Sequence, residues 1–156
     1  MSSFIVVIGR IPQADLALIQ SIAKENDIAV EMLTSGNVDV MLSGGIRHWI
    51  PQAVNSDDAI KAQLAQQIGE PSIRIKSKRK DDRNLLTEAA DLGYSLAFNR
   101  DGLDGAEGDK LLGLFSYSGM MNGIAYSNSK DSDDRVQPTL KEMTTKALNV
   151  LANDPD

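Results

Sequence analysis

The apolar positions in the first half of the chain follow an alternation of strand and helix patterns. Residues 4–8 form a short continuous apolar run, which is typical of a buried strand. Residues 13–25 carry apolar side chains at helical spacing. Residues 28–33 and 38–42 have strand character, and because the turn residues 34–37 separate them, they predict a β-hairpin.

The clearest helix pattern follows Ser56, a good N-cap residue. Apolar side chains then recur every fourth residue, and Gly69 with Pro71 predicts the end of the helix. Residues 73–76 alternate between isoleucine and a basic residue, which indicates a half-exposed strand. In the helix that follows Ser56, the apolar residues that recur every fourth position are Ile60, Leu64 and Ile68.

The second half repeats part of this order. A helix capped by Asp81 or Asp82 is predicted through Leu92, followed by strands over 94–98, 111–117 and 124–126. An acidic, glycine-rich loop covers 99–109, and a last helix begins at Pro138. The halves 1–70 and 71–152 therefore suggest a pseudo-repeat within a single domain of 156 residues.

The order of elements over 4–76 is βαββαβ, as in ferredoxin-like sandwiches. We therefore predict an α+β fold in which helices cover one face of a mostly antiparallel sheet. A further βα(β)α segment extends this sandwich in the second half. Many unrelated functions share such a fold, so the fold predicts none of them.

Composition narrows the classes of function. The chain has no cysteine, which excludes disulfides, thiol catalysis and cysteine-ligated zinc, and a single histidine argues against a histidine-based metal site. A net charge of -6 disfavours nucleic-acid binding and favours a basic partner. No run approaches the length of a membrane span, and the N-terminus lacks the features of a secretory signal, so a cytoplasmic protein without membrane contact is expected.

Two groups of residues are candidates for binding. Arg47, His48 and Trp49 bring together a cation, a titratable group and a flat apolar face in one loop, and Arg10 follows the first predicted strand, where an anion can lie at a helix N-terminus. The alternative is that Trp49 anchors the loop to the core while Arg47 and His48 face water. The second group is a basic cluster, interpreted either as an anion or partner patch or as a solvated strand end: Lys76, Lys78, Arg79 and Lys80.

Two other segments are open to alternative interpretations. The loop over 99–109 carries four acidic residues, but its spacing departs from that of a calcium-binding loop, so a flexible acidic loop is the competing interpretation. Residues 113–123 are rich in glycine and methionine, which fits either a partner interface or a core strand pair.

No catalytic motif and no cofactor-binding pattern is present. The leading hypothesis is therefore a small non-enzymatic accessory or regulatory protein that acts through a protein partner or by self-association. The alternative is a small-molecule-binding protein or modest enzyme whose site lies near Arg10 and the loop 47–49. No catalytic residue, metal ligand or cofactor is assigned.

Overall fold

A computed structural model describes residues 6–8, 25–121 and 135–152 of the chain. Within this part the element order is β1 (Val6–Ile8), α1 (Glu25–Thr34), β2 (Val40–Ser43), α2 (Asp58–Ile68), α3 (Leu85–Asp91), β3 (Ser95–Ala97), α4 (Arg100–Gly105), β4 (Leu111–Leu114) and α5 (Leu140–Ala152). Two short 3-10 helices, Ile46–His48 and Gln52–Asn55, follow β2. None of the described helices is long and apolar enough to cross a membrane.

The four strands form one sheet in the order β1-β2-β4-β3. Strand β4 lies in the centre of three parallel strands, between β2 and β3, and β1 pairs antiparallel with β2 at the edge. The predicted ferredoxin-like α+β sandwich on a mostly antiparallel sheet is therefore wrong. Parallel neighbours need long crossover connections, and helices provide them here, as in α/β folds.

Helices cover both faces of the sheet, which a ferredoxin-like arrangement does not allow. One face of β2 and β4 presents Met41, Leu112 and Leu114 to the cluster formed with α1, α2 and α3. The opposite face presents Val40 and Leu42 to the cluster formed with α4 and α5. Burial on both sides explains why these strands consist of uninterrupted apolar residues rather than alternating ones.

The predicted β-hairpin is the largest local error. Residues 28–33 lie inside α1, where Ala29, Met32 and Leu33 are buried against the sheet and the connecting helices. Met32 and Leu33 follow Ala29 by three and four residues, which is the spacing of a helix face. A short apolar run is compatible with either structure, and the helix wins here because its buried face packs on the core. The predicted helix over 13–25 and the strand over 124–126 lie outside the described residues, apart from position 25.

The helices of the second half and the helix after Ser56 are confirmed, with different caps. The carboxylate of Asp57, rather than the hydroxyl of Ser56, accepts hydrogen bonds from the first turn of α2, and Gly69 ends that helix at a φ of 65°. Asn84, rather than Asp81 or Asp82, caps α3. Residues 100–105 form α4 within the segment predicted to be a loop.

Candidate functional site

The loops that follow β2 and β4 lie side by side at the carboxyl edge of the sheet. Ser43 and Leu114 are paired at the ends of these parallel strands. The carbonyl of Ser43 accepts a hydrogen bond from Phe115 N at 2.9 Å, and the carbonyl of Ser116 accepts one from Gly45 N at 3.0 Å. In open α/β sheets, ligands bind outside this edge, so it is the first place to look for a site.

Glycines allow the two loops to approach each other. A side chain at Gly44 would place its Cβ 2.1 Å from the backbone oxygen of Ser118 and 2.3 Å from Ser116 Oγ. Gly45 has a φ of 85°, a backbone angle that residues with a side chain rarely adopt. It precedes the 3-10 helix that carries Arg47 and His48. Gly44 and Gly45 therefore determine the backbone position from which the side chains of Arg47 and His48 extend.

His48 is held by polar groups on both of its ring nitrogens. Its Nδ1 lies 2.7 Å from Asn26 Oδ1, and the amide of Asn26 is oriented because its Nδ2 donates to the carbonyl of Lys78 at 3.1 Å. Nδ1 is therefore the donor to Asn26. The other nitrogen, Nε2, accepts from Arg47 Nε at 2.9 Å and lies 2.8 Å from Glu25 Oε2.

These contacts fit two protonation states. The neutral ring, with its proton on Nδ1, accepts the hydrogen bond from Arg47, whereas the imidazolium donates from Nε2 to Glu25. Burial lowers the pKa of His48 below its ordinary value, Arg47, Arg79 and Lys78 lower it further, and only Glu25 raises it. The lowered pKa favours the neutral ring bound to Arg47, and the contact with Glu25 favours the imidazolium.

Trp49 is buried and forms one wall of a small cavity. Its carbonyl accepts a hydrogen bond from Leu85 N at 2.9 Å, which joins the loop to the start of α3. The cavity has a volume of about 100 Å³, with apolar walls from α1 and β2, and Arg47 and His48 at its polar side. Trp49 therefore anchors the loop, and Arg47 and His48 line the cavity beside it. Binding of a ligand by these residues stays a prediction.

Tyr117 joins this region to the basic cluster. The guanidinium of Arg47 lies 5.7 Å from the centre of the Tyr117 ring, and that of Arg74 lies 5.4 Å from it. Both distances are within the range of a cation–π interaction. Glu25 and Asn26 are absent from the candidates taken from the sequence, and Tyr117 was included only as part of the segment 113–123. No motif marks these residues, and only the fold brings them to Arg47 and His48.

The four residues of the predicted basic patch have different environments. Lys76, Lys78 and Lys80 are exposed. Arg79 is 4% exposed, and its guanidinium binds both carboxylate oxygens of Asp81 at 2.7 Å. Its Nη1 also donates to the carbonyl of His48 at 3.0 Å. Arg79 is therefore a structural residue beneath the loop 47–49, and the three lysines face outward.

The structure gives less support for a functional site at the remaining candidates. Arg10 lies outside the described residues, as do positions 122 and 123 of the glycine- and methionine-rich segment. Residues 113 and 114, the first two of that segment, belong to the buried strand β4. Within the described ranges, including the acidic segment 99–109, no three residues of the kind that bind metal ions are grouped together. The ring nitrogens of His48 bind Asn26 and Arg47, so His48 forms no hydrogen bond with a serine among the described residues.

Comparison with known proteins gives consistent matches. A sequence model of the alkaline phosphatase family matches residues 10–156. Among solved structures, the alkaline phosphatase of Thermus thermophilus is similar to this chain, with 25% sequence identity and a TM-score of 0.60. The match covers 83% of this chain and 21% of the Thermus chain. The chain thus spans about a fifth of the length of that enzyme.

Proposed function

The chain belongs to the alkaline phosphatase family, and on this basis we propose that it acts in the hydrolysis of phosphate monoesters, as part of a phosphatase-type enzyme. The expectation of a non-enzymatic accessory protein was wrong, because the family match extends over nearly the whole chain. The expectation failed because it relied on the absence of a catalytic motif. A motif search cannot detect groups that reach a site from distant parts of a chain.

The family match over residues 10–156 is the observation that carries this proposal. The parallel sheet supports it, since loops at the carboxyl edge of such sheets are where α/β proteins bind ligands. The similarity to the Thermus enzyme covers 83% of the chain at a TM-score of 0.60, so the resemblance extends over most of this chain.

Hydrolysis of a phosphate ester needs a nucleophile, positive charge at the phosphoryl oxygens and stabilisation of the leaving oxygen. Many phosphatases obtain these from two metal ions that lie close together. The described residues do not fit such a site, because they bring no three metal-binding side chains together and the only histidine is engaged by Asn26, Arg47 and Glu25. We propose that the reacting groups come from outside the described residues.

The described residues are proposed to shape and charge the edge of the sheet where the ester approaches. The contacts between Gly45 and Ser116 hold the two loops together, and Arg47 is fixed by His48 and Tyr117. A fixed guanidinium attracts a phosphate dianion without a cost for ordering its side chain. Arg47 is thus proposed to orient the substrate, not to react with it.

The cavity beside Trp49 supports a narrower version of the expected small-molecule site. At about 100 Å³ it is well below the roughly 300–1,000 Å³ of typical ligand pockets. We propose that it accepts only a small apolar group of a larger ligand. Because Trp49 is the only tryptophan, its fluorescence reports directly on such binding.

The decisive experiment measures the release of inorganic phosphate from an aryl phosphate monoester between pH 7 and pH 10. It compares the protein purified from its own source with the 156-residue chain expressed alone, each with and without added Zn²⁺ and Mg²⁺. We expect release by the source protein and loss of release after chelation. A folded, metal-loaded source protein that releases no phosphate from aryl or alkyl monoesters would exclude the proposed function.

The chain expressed alone tests where the reacting groups lie. We expect no release from it, because the match covers only 21% of the Thermus enzyme, so that most of an enzyme of that length lies outside this chain. Release by the isolated chain would show that its own residues complete the site, and would overturn that part of the proposal while supporting phosphatase chemistry.

A further inference from the structure

An extended segment beside the carboxyl edge carries a row of positive charges. Over residues 73–80, burial alternates with a period of two, so that Ile73, Ser77 and Arg79 point inward. The intervening basic side chains are exposed, and we call them the basic ladder: Arg74, Lys76, Lys78 and Lys80. The segment belongs to no sheet in the described part of the chain, so its outer side faces solvent.

The inward side fixes the segment in place. Ser77 Oγ donates to the carbonyl of Ile50 at 2.7 Å, and Ser77 N donates to Asn55 Oδ1 at 2.9 Å. Lys78 N donates to the carbonyl of Arg47 at 2.8 Å. Because the backbone is held at these points, the exposed cations keep a repeat of roughly 6.6 Å and extend over about 20 Å.

The charges of the ladder are not neutralised by their neighbours. Among the described residues, none of the four forms an ion pair. The nearby carboxylates have other partners, since Asp81 binds Arg79 and Asp82 accepts a hydrogen bond from Ala53 N at 2.8 Å. These four cations, which have no ion-pair partner among the described residues, form a localised positive surface in a chain whose net charge is -6.

We propose that the basic ladder binds a linear chain of phosphate groups. Lysine ammonium groups attract phosphate as point charges and impose no fixed orientation, so closely spaced phosphates can match the row in many registers. A nucleic-acid strand fits less well, because it also needs aromatic faces for stacking and the ring of Tyr117 already contacts Arg47 and Arg74. An acidic peptide fits less well because its carboxylates must alternate in register with the lysines.

This site goes beyond the proposed hydrolysis and does not depend on it, since binding is measurable without turnover. Its position matters, however. Arg74 and Arg47 contact the same tyrosine in the loop after β4, so the ladder leads toward the carboxyl edge of the sheet. A phosphate chain held on the ladder would have one end near that edge.

Isothermal titration with linear inorganic polyphosphate of about ten residues tests the proposal, at 50 mM and 200 mM salt. Binding through three or four phosphate contacts should weaken at the higher salt by roughly 30- to 200-fold, as expected from counterion release. The ladder variant, Arg74→Gln, Lys76→Gln, Lys78→Gln and Lys80→Gln together, should bind at least tenfold more weakly than the unaltered chain at 50 mM salt. The control is Lys61→Gln with Lys141→Gln, two exposed lysines outside the ladder, and it should bind like the unaltered chain.

Three outcomes would overturn the proposal. The first is unchanged polyphosphate binding by the ladder variant, with Trp49 fluorescence showing that it is folded. The second is equal loss of binding in the control variant, which would indicate attraction to lysine in general. The third is tighter binding of a single-stranded oligonucleotide or an acidic peptide of equal charge. If the fourfold variant does not fold, Lys76→Gln with Lys80→Gln replaces it, and a loss of less than about threefold contradicts the site.

Discussion

The backbone N–H of Gly45 donates a hydrogen bond to the carbonyl oxygen of Ser116 at 3.0 Å, and so fastens the loop after β2 to the loop after β4. The contact exists because Gly44, one residue earlier, has no side chain to separate the loops. The geometry of the carboxyl edge therefore depends on the absence of a side chain at Gly44.

Replacing Gly44 with alanine should damage the protein. The new Cβ would lie 2.1 Å from the backbone oxygen of Ser118, and because backbone cannot rotate away as a side chain can, the loops must separate. We expect a loss of about 3 kcal/mol in the free energy of unfolding. Gly105→Ala is the matched control, since nothing lies within 4 Å of that position and alanine favours the helix. Urea unfolding followed by Trp49 fluorescence measures both, and equal stabilities would contradict the close approach.

His48 should titrate at a lower pH than a free histidine. It is the only histidine, so one imidazole proton resonance follows it by NMR. Burial and the cations Arg47, Arg79 and Lys78 outweigh Glu25, and we expect a midpoint below 6.5. Glu25→Gln removes the one group that raises the pKa, and should lower the midpoint further. A midpoint above 6.5 would mean that the Glu25 contact dominates.

The lowered pKa of His48 also predicts a dependence of stability on pH. The unfolded chain binds the proton more tightly than the folded chain, so the free energy of unfolding decreases as the pH falls below 6.5. The decrease ends once the pH is below the folded-state pKa. In His48→Gln, the part of the slope that this residue causes should disappear, which a comparison of urea midpoints at pH 7.5 and pH 5 would detect.

Asp81→Asn should destabilise the chain because Arg79 would keep its buried charge and lose the opposite one. Asp81 is half exposed, which reduces the cost from the 3–5 kcal/mol of a fully buried pair to about 1–2 kcal/mol. The hydrogen bonds from Arg79 lower the pKa of Asp81, so this stability is present above its ordinary pKa and is lost as the pH falls through the lower value. Glu88→Gln, which breaks the more exposed pair with Arg83, should cost less than about 1 kcal/mol.

The start of α5 offers a separate test. Thr139 Oγ1 accepts a hydrogen bond from Glu142 N at 3.1 Å, while Glu142 Oε2 accepts one from Thr139 N at 2.7 Å, which is a reciprocal capping box. Thr139→Ala should lower the free energy of unfolding by about 1 kcal/mol. The same substitution at the exposed Thr145, within the helix, should be neutral or slightly stabilising. Circular dichroism during thermal unfolding measures both, and a Thr139→Ala protein as stable as the Thr145→Ala protein would argue against the cap.

The sequence predicts local structure here better than it predicts topology. The helix after Ser56 and the helix through Leu92 were found from the helical spacing of their apolar residues, although the residues that cap them are Asp57 and Asn84. The sheet was misjudged because residues 28–33 and 38–42 were interpreted as the two strands of a β-hairpin, although Met41, between Val40 and Leu42, is also apolar and buried. Continuous apolar runs in β2 and β4 were the available signal for a parallel sheet covered on both faces.

The candidate site was predicted only in part. Arg47, His48 and Trp49 were selected because unusual residue types adjoin in one loop, and the structure places them around a cavity. Glu25 and Asn26, which hold the histidine, were not found, because their contact with His48 crosses more than twenty positions of sequence and exists only once α1 packs beside the loop. Arg79 was grouped with the exposed lysines because a charge run does not reveal which of its members points inward.

The pairing of β2 with β4 also has a consequence for synthesis of the chain. Val40 pairs with Leu111, so about 70 residues must be added after β2 before its partner strand exists. At ribosomal speeds this takes roughly 4–14 s, during which one apolar edge of β2 has no strand beside it. The nascent chain is thus most prone to aggregation before its synthesis is complete. Slower translation of the segment between β2 and β4 would lengthen this period.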